Sequence, residues 1–379
     1  MRIAFAMINC NRRDGSARAV NEVAEILAAR GHDVHLYARK AEDLDLEAVR
    51  WHRVPGPGWP EVADFSSYHF AVNRLLSNHD YDIVHSIGCN TLRANVVTIQ
   101  NIQPVKMRVL EQSGSGEKVS FARRLTRRLY LDVTCRAEKK LYTWREGKRP
   151  PVFLPVSRGV ERELRENYEI GPAEVRIVPN AADTRIFRPI SAGERLSWRL
   201  ENGFQADDPL AIFSGGEWSR KGLEPAIRAI SLVPGAKLFI AGDDPDRSRF
   251  QELARSCGAG DRICFGGFRK DVQTALAASD VFLFPSYYEA FSLATIEAAA
   301  CGLPVVATRI NGTEDFIEPD VTGCFVTHDP RDIAERLAGL FQNPDRRAQM
   351  GRNARALVEK NYTWERVATL TEEAYRLAL

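Results

Sequence analysis

Short apolar runs alternate with stretches of helical spacing along the first half of the chain. Residues 19–30 carry apolar side chains at helical spacing and end at Gly31, which predicts a helix with a left-handed glycine cap. Apolar runs of strand length lie around it, at residues 3–8, 34–38, 83–85, 95–99 and 152–156. This β-α-β alternation predicts a parallel sheet that is covered by helices on both faces.

The same alternation returns after residue 205, with apolar runs at residues 210–213, 238–241, 263–265, 281–284, 305–307 and 324–326. Residues 178–194 separate the two sets and are rich in proline and small polar residues, which predicts a linker. We therefore predict an α/β chain of two doubly wound, Rossmann-like domains, 1–181 and 182–361, followed by an amphipathic helix at 362–379. In open sheets of this kind, ligands bind at the carboxyl ends of the strands.

The overall composition is that of a globular protein, with 44% hydrophobic and 27% charged residues. The formal net charge is only +2, and we expect no nucleic-acid partner. Positive charge is concentrated locally, because residues 101–150 hold 13 Lys and Arg against 5 Asp and Glu, a net charge of +8. That region is the candidate surface for an anionic partner.

The seven cysteines are scattered and no two have C-x-x-C spacing, so the sequence predicts neither a zinc site nor a disulfide framework. No apolar run approaches the length of a membrane-spanning helix, and the first residues lack the pattern of a signal peptide. We expect a cytoplasmic protein that needs no metal or other cofactor and touches a membrane only through its surface.

The most informative segment is FPSYYEAFSLATIEAAACGLPVVAT, residues 284–308. It predicts a strand, a loop that carries Glu289, and a helix that begins near Ser292 and holds Glu297. Backbone amides at such a helix start form an anion site that suits a diphosphate. Carboxylates fit beside a diphosphate when they accept hydrogen bonds from sugar hydroxyls, which favours a nucleotide sugar over a bare nucleotide. The donor-binding candidates of the segment are Glu289, Ala290, Phe291, Ser292, Leu293 and Glu297.

A second segment, FSGGEWSRKGLEPAIRAI at residues 213–230, supplies positive charge. Gly215 and Gly216 follow a predicted strand and allow the chain to turn close to a ligand. Arg220 and Lys221 come next, before a helical stretch. A leaving diphosphate gains negative charge as the glycosidic bond breaks, so fixed cations at this point stabilise the transition state more than the ground state.

The first segment resembles the Glu-x7-Glu signature of glycosyltransferase family 4, a retaining family with the GT-B fold. The family form E-G-F-G-L-x-x-x-E-A-x-A-x-G-x-P-V reads here E-A-F-S-L-A-T-I-E-A-A-A-C-G-L-P-V, and the second segment is similar to the G-x-x-x-x-x-K-G motif. The resemblance implies that Glu289 contacts the donor hexose, Glu297 the ribose, and Arg220 and Lys221 the diphosphate. Arg220, Lys221 and Glu289 are the catalytic candidates. The resemblance also implies two domains that face a central cleft, with the helix at 362–379 packed on the first.

The resemblance places further residues near the donor. Phe268 and Arg269, in CFGGFRKDV, would lie beside the nucleobase, although core packing of Phe268 fits the sequence equally well. Gly15 and Ser16 stand where the family has a glycine pair under the donor phosphates. The aspartates of FIAGDDPDRSRF predict no metal site, because enzymes of this fold generally use their own cations in place of Mg²⁺.

On the acceptor side, ANVVTIQN at residues 94–101 is similar to the family strand V-V-T-x-H, with Gln100 at the histidine position and Asn101 after it. An amide binds a sugar hydroxyl but cannot act as a base. His85 ends another predicted strand and is either a substitute for the family histidine or a core residue with satisfied hydrogen bonds.

The family resemblance implies a retaining, metal-independent hexosyltransferase of cell-envelope polysaccharide or lipopolysaccharide synthesis. It would move a hexose from a nucleoside-diphosphate sugar, with UDP-glucose favoured, to a hydroxyl of a glycan, lipid-linked or cell-envelope acceptor. With no obvious enzyme nucleophile, the leaving phosphate would take the acceptor proton on the front face of the sugar. Two alternatives stay open, a nucleotide-sugar epimerase of the same fold and a sugar-nucleotide-binding protein without catalysis.

Residues 119–130 predict a basic amphipathic helix, with Phe121, Leu125 and Leu129 on one arc and arginines on the other. Such a helix can lie on an anionic membrane or hold an anionic acceptor. In the first case the protein would sit peripherally on the inner face of the membrane. The alternative is a helix that packs on its own domain and presents a solvated arginine face, and the sequence leaves both open.

Overall fold

The computed structural model describes residues 1–12, 15–112 and 121–379. The start of the predicted basic helix, at residues 119–120, lies outside these ranges. At Phe121 only the backbone is described. The chain divides into two compact units, Met1–Asn180 with Trp364–Leu379, and Ala181–Thr363.

The first unit is a doubly wound α/β fold. Its strands are β1 (Arg2–Ala6), β2 (Asn9–Cys10), β3 (Asp33–Ala38), β4 (Lys40–Ala41), β5 (Arg50–Arg53), β6 (Ile83–Ile87), β7 (Val96–Ile99) and β8 (Val152–Pro155). Its first helices are α1 (Gly15–Ala29), α2 (Glu61–Leu76), α3 (Gln103–Gln112), α4 (Phe121–Tyr142) and α5 (Arg158–Asn167). Six strands form one parallel sheet in the order β5-β3-β1-β6-β7-β8, while β2 and β4 pair separately.

The second unit has the same topology. Its strands are β9 (Leu210–Ser214), β10 (Lys237–Ala241), β11 (Ile263–Gly267), β12 (Val281–Phe284), β13 (Val305–Thr308) and β14 (Gly323–Val326). Its helices are α6 (Ala192–Glu201), α7 (Leu223–Leu232), α8 (Arg247–Ser256), α9 (Val272–Ala278), α10 (Leu293–Ala300), α11 (Thr313–Phe316), α12 (Pro330–Gln342) and α13 (Pro344–Asn361). The parallel strand order is β11-β10-β9-β12-β13-β14, which is again the dinucleotide-fold order.

The last helix, α14 (Trp364–Ala378), packs on the first unit. On its exposed side, Arg30 donates to the Glu372 carboxylate at 3.1 Å and to the Thr369 hydroxyl at 3.0 Å. On its buried side, the Tyr375 hydroxyl lies 2.8 Å from Nδ1 of His85. The end of the chain is therefore tied to the first unit by polar contacts as well as by apolar burial.

The structure confirms the predicted fold class of two Rossmann-like parallel sheets. It also adds the edge strand β5, which the apolar pattern did not predict. That strand reads Arg-Trp-His-Arg and pairs with β3 through Leu36–Trp51 and Tyr37–His52. Helix α1 begins at Gly15, four residues before the predicted start, and ends before Gly31, whose φ of +86° is left-handed as predicted.

A buried charge cluster in the second unit surrounds Asp280. Its carboxylate accepts from Arg195 at 2.7 Å and Arg199 at 2.9 Å, lies 3.2 Å from Arg347, and also accepts from the Leu210 amide at 2.9 Å. The side chains of Arg199 and Asp280 are 1% and 6% exposed. Burial by itself would raise the pKa of the Asp280 carboxyl, but the three guanidinium groups outweigh burial and hold that pKa below its usual range.

Replacing Asp280 by asparagine should lower the free energy of unfolding by about 3–5 kcal/mol near neutral pH, because buried guanidinium groups lose their counter-charge. The Asp280 pKa is lower in the folded than in the unfolded chain, so the carboxylate stabilises the fold above about pH 4 and less as the pH falls through the folded pKa. Urea unfolding should show a gap between wild type and Asp280→Asn that narrows as the solution is acidified.

The matched control is Asp320→Asn, which removes a pair with Arg346 whose side chains are 56% and 49% exposed. We expect that change to cost less than about 1 kcal/mol. Equal losses of unfolding free energy in the two variants would contradict a special contribution of the buried cluster to stability.

Candidate active site

The candidate site lies at the point in the second sheet where the strand order reverses. Strands β9 and β12 are adjacent and parallel there, so the loops that follow them leave from the same edge. Open α/β sheets bind ligands at this position. The loop after β9 carries the predicted cations, and the loop after β12 carries the predicted glutamate.

Glycines allow the two loops to approach each other. Gly222 has a φ of +77°, and a Cβ at that position would overlap the carbonyl oxygen of Pro285. Gly215 has a φ of +124°, and a Cβ there would stand 2.5 Å from the Lys221 ammonium. Gly216 lies against the next strand end, since its Cβ would stand 3.2 Å from the Asp243 carbonyl oxygen. The turn therefore packs against the Lys221 side chain on one side and contacts the backbone that follows β12 on the other.

The three predicted catalytic side chains are brought together by this contact. Arg220 Nη1 lies 2.9 Å from Glu289 Oε1, and Lys221 Nζ lies 3.9 Å from the same oxygen. All three side chains are largely buried, with exposed fractions between 13% and 17%. Arg220 also donates to the carbonyl oxygen of Tyr288. Two cations and one carboxylate thus share a site at the carboxyl edge of the sheet.

Glu217 is a member of this cluster that the sequence analysis missed. Its carboxylate accepts from Arg220 at 2.7 Å and is 66% exposed. Burial works against the charge on Arg220, but Glu289 and Glu217 outweigh it and raise the pKa of the guanidinium above its usual value. Opposite charges three residues apart often pair within a turn, so the spacing of Glu217 and Arg220 could have predicted this ion pair from the sequence.

Helix α10 begins as predicted, with Ser292 as its N-cap. The Ser292 hydroxyl accepts from the Thr295 amide at 3.2 Å, and Leu293 is the first helical residue. Glu297 follows in the next turn and is half-buried. The helix therefore starts where the sequence predicted it, and its role as an anion site stays a prediction.

The residues between Glu289 and this helix are held by a second loop. Ala290 is half-buried and Phe291 is 7% exposed. A Cβ on Gly312 would stand 2.8 Å from the Phe291 Cα and 3.3 Å from the Ala290 carbonyl oxygen. The loop after β13 thus lies directly against the candidate donor loop.

Of the two residues predicted beside the nucleobase, Phe268 is exposed and Arg269 is bound by a neighbouring carboxylate. Phe268 is 80% exposed, so the alternative of core packing is wrong for this side chain. Arg269 is paired with Asp271 through two bonds of 2.7 Å and 2.6 Å. The Trp198 indole also donates to Asp271, at 3.1 Å. An aromatic face is accessible beside a fixed guanidinium, and contact with a nucleobase stays a prediction.

The predicted sugar-proximal residues lie in the first unit. Gly15 and Ser16 are the first residues of α1, and Ser16 lines a small cavity together with Gln100 and Asn180. The side-chain amides of Gln100 and Asn180 bond to each other at 3.3 Å and 3.4 Å. Asn101 accepts from the Gln103 side chain at 3.3 Å. Gln100 is therefore held by the side-chain amide of Asn180, the last residue of the first segment of this unit.

His85 requires a correction. It is 3% exposed, its Nδ1 lies 2.8 Å from the Tyr375 hydroxyl, and its Nε2 lies 2.7 Å from the Thr98 hydroxyl. Burial lowers the pKa of His85 to about 3, so it is neutral at physiological pH. Both ring nitrogens are engaged inside the fold, and the predicted role beside the sugar gives way to a structural role.

The aspartates of the 243–246 loop stabilise the loop itself. Asp244 accepts from the backbone amides of Trp218 and Asp246, each at 2.9 Å, and Asp243 accepts from the Asp244 amide at 3.0 Å. In residues 1–12, 15–112 and 121–379, no three His, Cys, Asp or Glu side chains are grouped as a metal site would need. Independence from metal stays a prediction.

The predicted basic helix forms part of α4. Leu125 and Leu129 are 48% and 47% exposed, and Arg127 and Arg128 are exposed beside them. Leu125 and Leu129 thus expose part of the apolar arc, while the second half of α4 packs on its own unit through buried residues such as Ala137 and Tyr142. Both interpretations of the basic helix stay open. Among the helices of the described ranges, none combines the length and the apolar character that crossing a bilayer requires.

Two family models match the chain, one over most of each unit. Residues 13–186 match Glycosyltransferase Family 4, and residues 194–357 match Glycosyl transferases group 1. The two matches together leave out residues 1–12, residues 187–193 of the second unit and residues 358–379.

Related proteins and solved structures agree with these matches. The lipopolysaccharide glucosyltransferase WaaG of Escherichia coli K12 is 26% identical over 323 residues, which are 84% of this chain and 83% of WaaG. A crystal structure of WaaG, a glycosyltransferase involved in lipopolysaccharide biosynthesis, has a TM-score of 0.79 at 23% identity and covers 99% of both chains. Anabaena HepE in complex with UDP-glucose has a TM-score of 0.70 at 17% identity, over 100% of this chain and 99% of HepE.

These likenesses extend through both parallel-sheet units, and the matched ranges include every motif on which the family resemblance was based. The Glu-x7-Glu segment and the Arg-Lys-Gly turn both fall within residues 194–357. The chain belongs to glycosyltransferase family 4 and is a glycosyltransferase of the GT-B type.

Proposed function

We propose that this protein is a retaining hexosyltransferase that uses a nucleoside-diphosphate sugar, with UDP-glucose favoured. The cluster of Arg220, Lys221 and Glu289 carries the proposal. Two cations fixed at the edge of a parallel sheet suit a diphosphate, and the helix start at Ser292 adds backbone amides to the same loop. A carboxylate in their midst suits sugar hydroxyls.

The proposed reaction proceeds on the front face of the donor sugar. A bond forms between the acceptor hydroxyl oxygen and the anomeric carbon, while the bond from that carbon to the diphosphate breaks and its electron pair leaves with the phosphate. The acceptor proton passes to the departing phosphate oxygen. Arg220 and Lys221 stabilise the charge that develops on this oxygen, so the protein contributes chiefly positioning and electrostatics.

We infer that the reaction needs no metal ion. The charge that Mg²⁺ would neutralise in other phosphate sites is met here by Arg220, Lys221 and the amides at the start of α10. Glu289 contacts both cations, which keeps the two positive charges together at one place.

The donor and acceptor assignments rest on chemistry and likeness. WaaG is a lipopolysaccharide glucosyltransferase and HepE binds UDP-glucose, which supports UDP-glucose as the donor. We propose a hydroxyl of a glycan, lipid-linked or cell-envelope acceptor, and a place in cell-envelope polysaccharide or lipopolysaccharide synthesis. Arg269 and the exposed face of Phe268 are the proposed contacts to the nucleobase, and Glu297 the proposed contact to the ribose.

We further propose that α4 contacts the cytoplasmic face of a membrane. Leu125 and Leu129 expose apolar surface next to Arg127 and Arg128, an arrangement that suits insertion between anionic headgroups. A lipid-linked acceptor would then meet the enzyme at the surface where the acceptor resides.

Mixing the protein with UDP-, GDP- and ADP-sugars should identify the donor, and we expect UDP-glucose to give the largest rise in melting temperature. Product analysis of the same mixtures separates the possible activities. Slow release of UDP and glucose is the expected result, because water can replace the acceptor. An isomeric nucleotide sugar would show the epimerase instead, and stabilisation without any product would show a binding protein.

Replacing Lys221 by alanine should lower turnover by about 10²–10³-fold, because one of the two cations that meet the leaving diphosphate is removed. Circular dichroism and the melting temperature should stay close to those of the wild type. The control is Lys360→Ala, an exposed lysine at the end of α13, which should leave turnover unchanged. Near-normal turnover by Lys221→Ala would overturn its assignment.

Sedimentation with liposomes should show binding that depends on anionic lipid and weakens with salt. A variant with both Arg127→Glu and Arg128→Glu should stay in the supernatant. The matched control reverses two exposed arginines of α12, Arg331→Glu and Arg336→Glu, and should bind like the wild type. Equal sedimentation with neutral and anionic vesicles would rule out this membrane contact.

A further inference from the structure

Ser286 follows Pro285, two residues beyond the end of β12, and precedes the loop that carries Glu289. Its side chain is completely buried. The Ser286 hydroxyl is 3.2 Å from the carbonyl oxygen of Arg220 and 3.2 Å from the carbonyl oxygen of Tyr288. One buried hydroxyl therefore joins the cation-bearing turn to the glutamate-bearing loop.

The two carbonyl groups that Ser286 joins are both tied to Arg220. One is the main-chain carbonyl of Arg220 itself, which also accepts from the Tyr287 amide at 2.9 Å. The other belongs to Tyr288 and also accepts from the Arg220 guanidinium. Ser286 thus lies between the backbone and the charged end of the same arginine, where its hydroxyl limits how the arginine can turn.

Ser286 is held in turn from the neighbouring strand ends. Its carbonyl oxygen accepts from the hydroxyl of Thr308, the last residue of β13. The ring of His328, which follows β14, is 3.3 Å from the same oxygen and stacks on the ring of Tyr287 with 3.9 Å between centroids. The position of Ser286 is therefore fixed by three adjacent strands.

The Arg220 guanidinium bonds two carboxylates at once, through Nη2 to Glu217 and through Nη1 to Glu289. Its guanidinium pairs with Glu217, which is 66% exposed, as well as with Glu289, which is 13% exposed. If the bond to Glu289 were lost, the remaining pair with Glu217 would hold the cation nearer to solvent. A restraint on the Arg220 backbone opposes loss of the bond to Glu289.

We propose that Ser286 is a positioning residue, which acts through Arg220 to hold its charge where the leaving diphosphate develops charge. The inference rests on the proposed function, because it assigns Ser286 a share in the same transition-state stabilisation. Displacement of a catalytic group by about 1 Å can lower the rate by as much as 10²-fold. The main effect of losing Ser286 should therefore fall on kcat, with a smaller effect on KM for the donor.

The test is a double-mutant cycle on release of UDP from UDP-glucose, with thermal unfolding of each variant measured in parallel. Ser286→Ala should lower kcat by about 10–100-fold. In the Arg220→Ala background, the same change should lower kcat by less than about twofold, because the group through which Ser286 acts is gone. Two residues that acted independently would instead lower kcat by the product of their separate effects.

Ser279→Ala is the matched control for loss of a buried serine hydroxyl. Ser279 is 4% exposed, bonds the Ala275 carbonyl at 2.8 Å, and precedes β12 at the opposite end of the strand from Ser286. It should change the melting temperature by as much as Ser286→Ala while kcat stays within about twofold of wild type. Ser286→Cys retains a side chain of similar shape, although slightly larger, and weakens the hydrogen-bond donor, so its kcat should stay low.

Thr308→Val provides a second route to the same conclusion if Ser286→Ala folds poorly. It removes the hydroxyl that fixes the Ser286 carbonyl and keeps the side-chain shape. We expect a smaller loss of kcat that also disappears in the Arg220→Ala background.

Separate outcomes overturn the inference and the proposed function. Multiplicative losses in the cycle, full activity of Ser286→Cys, or an equal kcat loss in Ser279→Ala would each overturn the positioning role. Undiminished turnover by Arg220→Ala, or no UDP release by the wild type, would overturn the proposed donor site and the inference with it.

Discussion

A backbone contact between two strand-end loops underlies the candidate site. Gly222 lies so close to the carbonyl oxygen of Pro285 that no side chain fits between them, and its left-handed φ of +77° also favours glycine. This approach brings the cations after β9 to the carboxylate after β12. The pairing of Arg220 with Glu289 across 69 positions of sequence follows from it. The helix start at Ser292 and the loop at Gly312 then lie beside the cluster that this contact has formed.

Much of the fold was predictable because both faces of each sheet are covered. Strands such as Val281–Phe284 are buried at every position and therefore read as continuous apolar runs. Strand Arg50–Arg53 lies at the edge of its sheet, where partial exposure permits a polar and aromatic sequence with no apolar run. The start of α1 was missed for a similar reason, since its first residues are small and do not show helical periodicity.

The candidate site was predictable where one continuous segment carries both the geometry and the chemistry. The N-cap at Ser292 and the turn around Lys221 are of this kind. Contacts between separate segments could not be predicted, because spacing along the chain does not show which strands become neighbours. The hydroxyl of Ser286 and the burial of His85 between Tyr375 and Thr98 depend on such neighbours, and a motif match contains neither.

The contact between Gly222 and Pro285 involves main chain rather than side-chain functional groups, and this has a bearing on how enzymes with this arrangement can diversify. Substitutions at Ala290 or in the loop around Gly312 can reshape the proposed donor site without displacing the two cations, since neither forms the contact that places them. The chain already departs from the family at Ala290 and Ser292 and keeps an intact helix start. Under the proposed function, main-chain geometry would place the cations that meet the leaving diphosphate, while the choice of sugar would be left to positions that an engineer can vary separately.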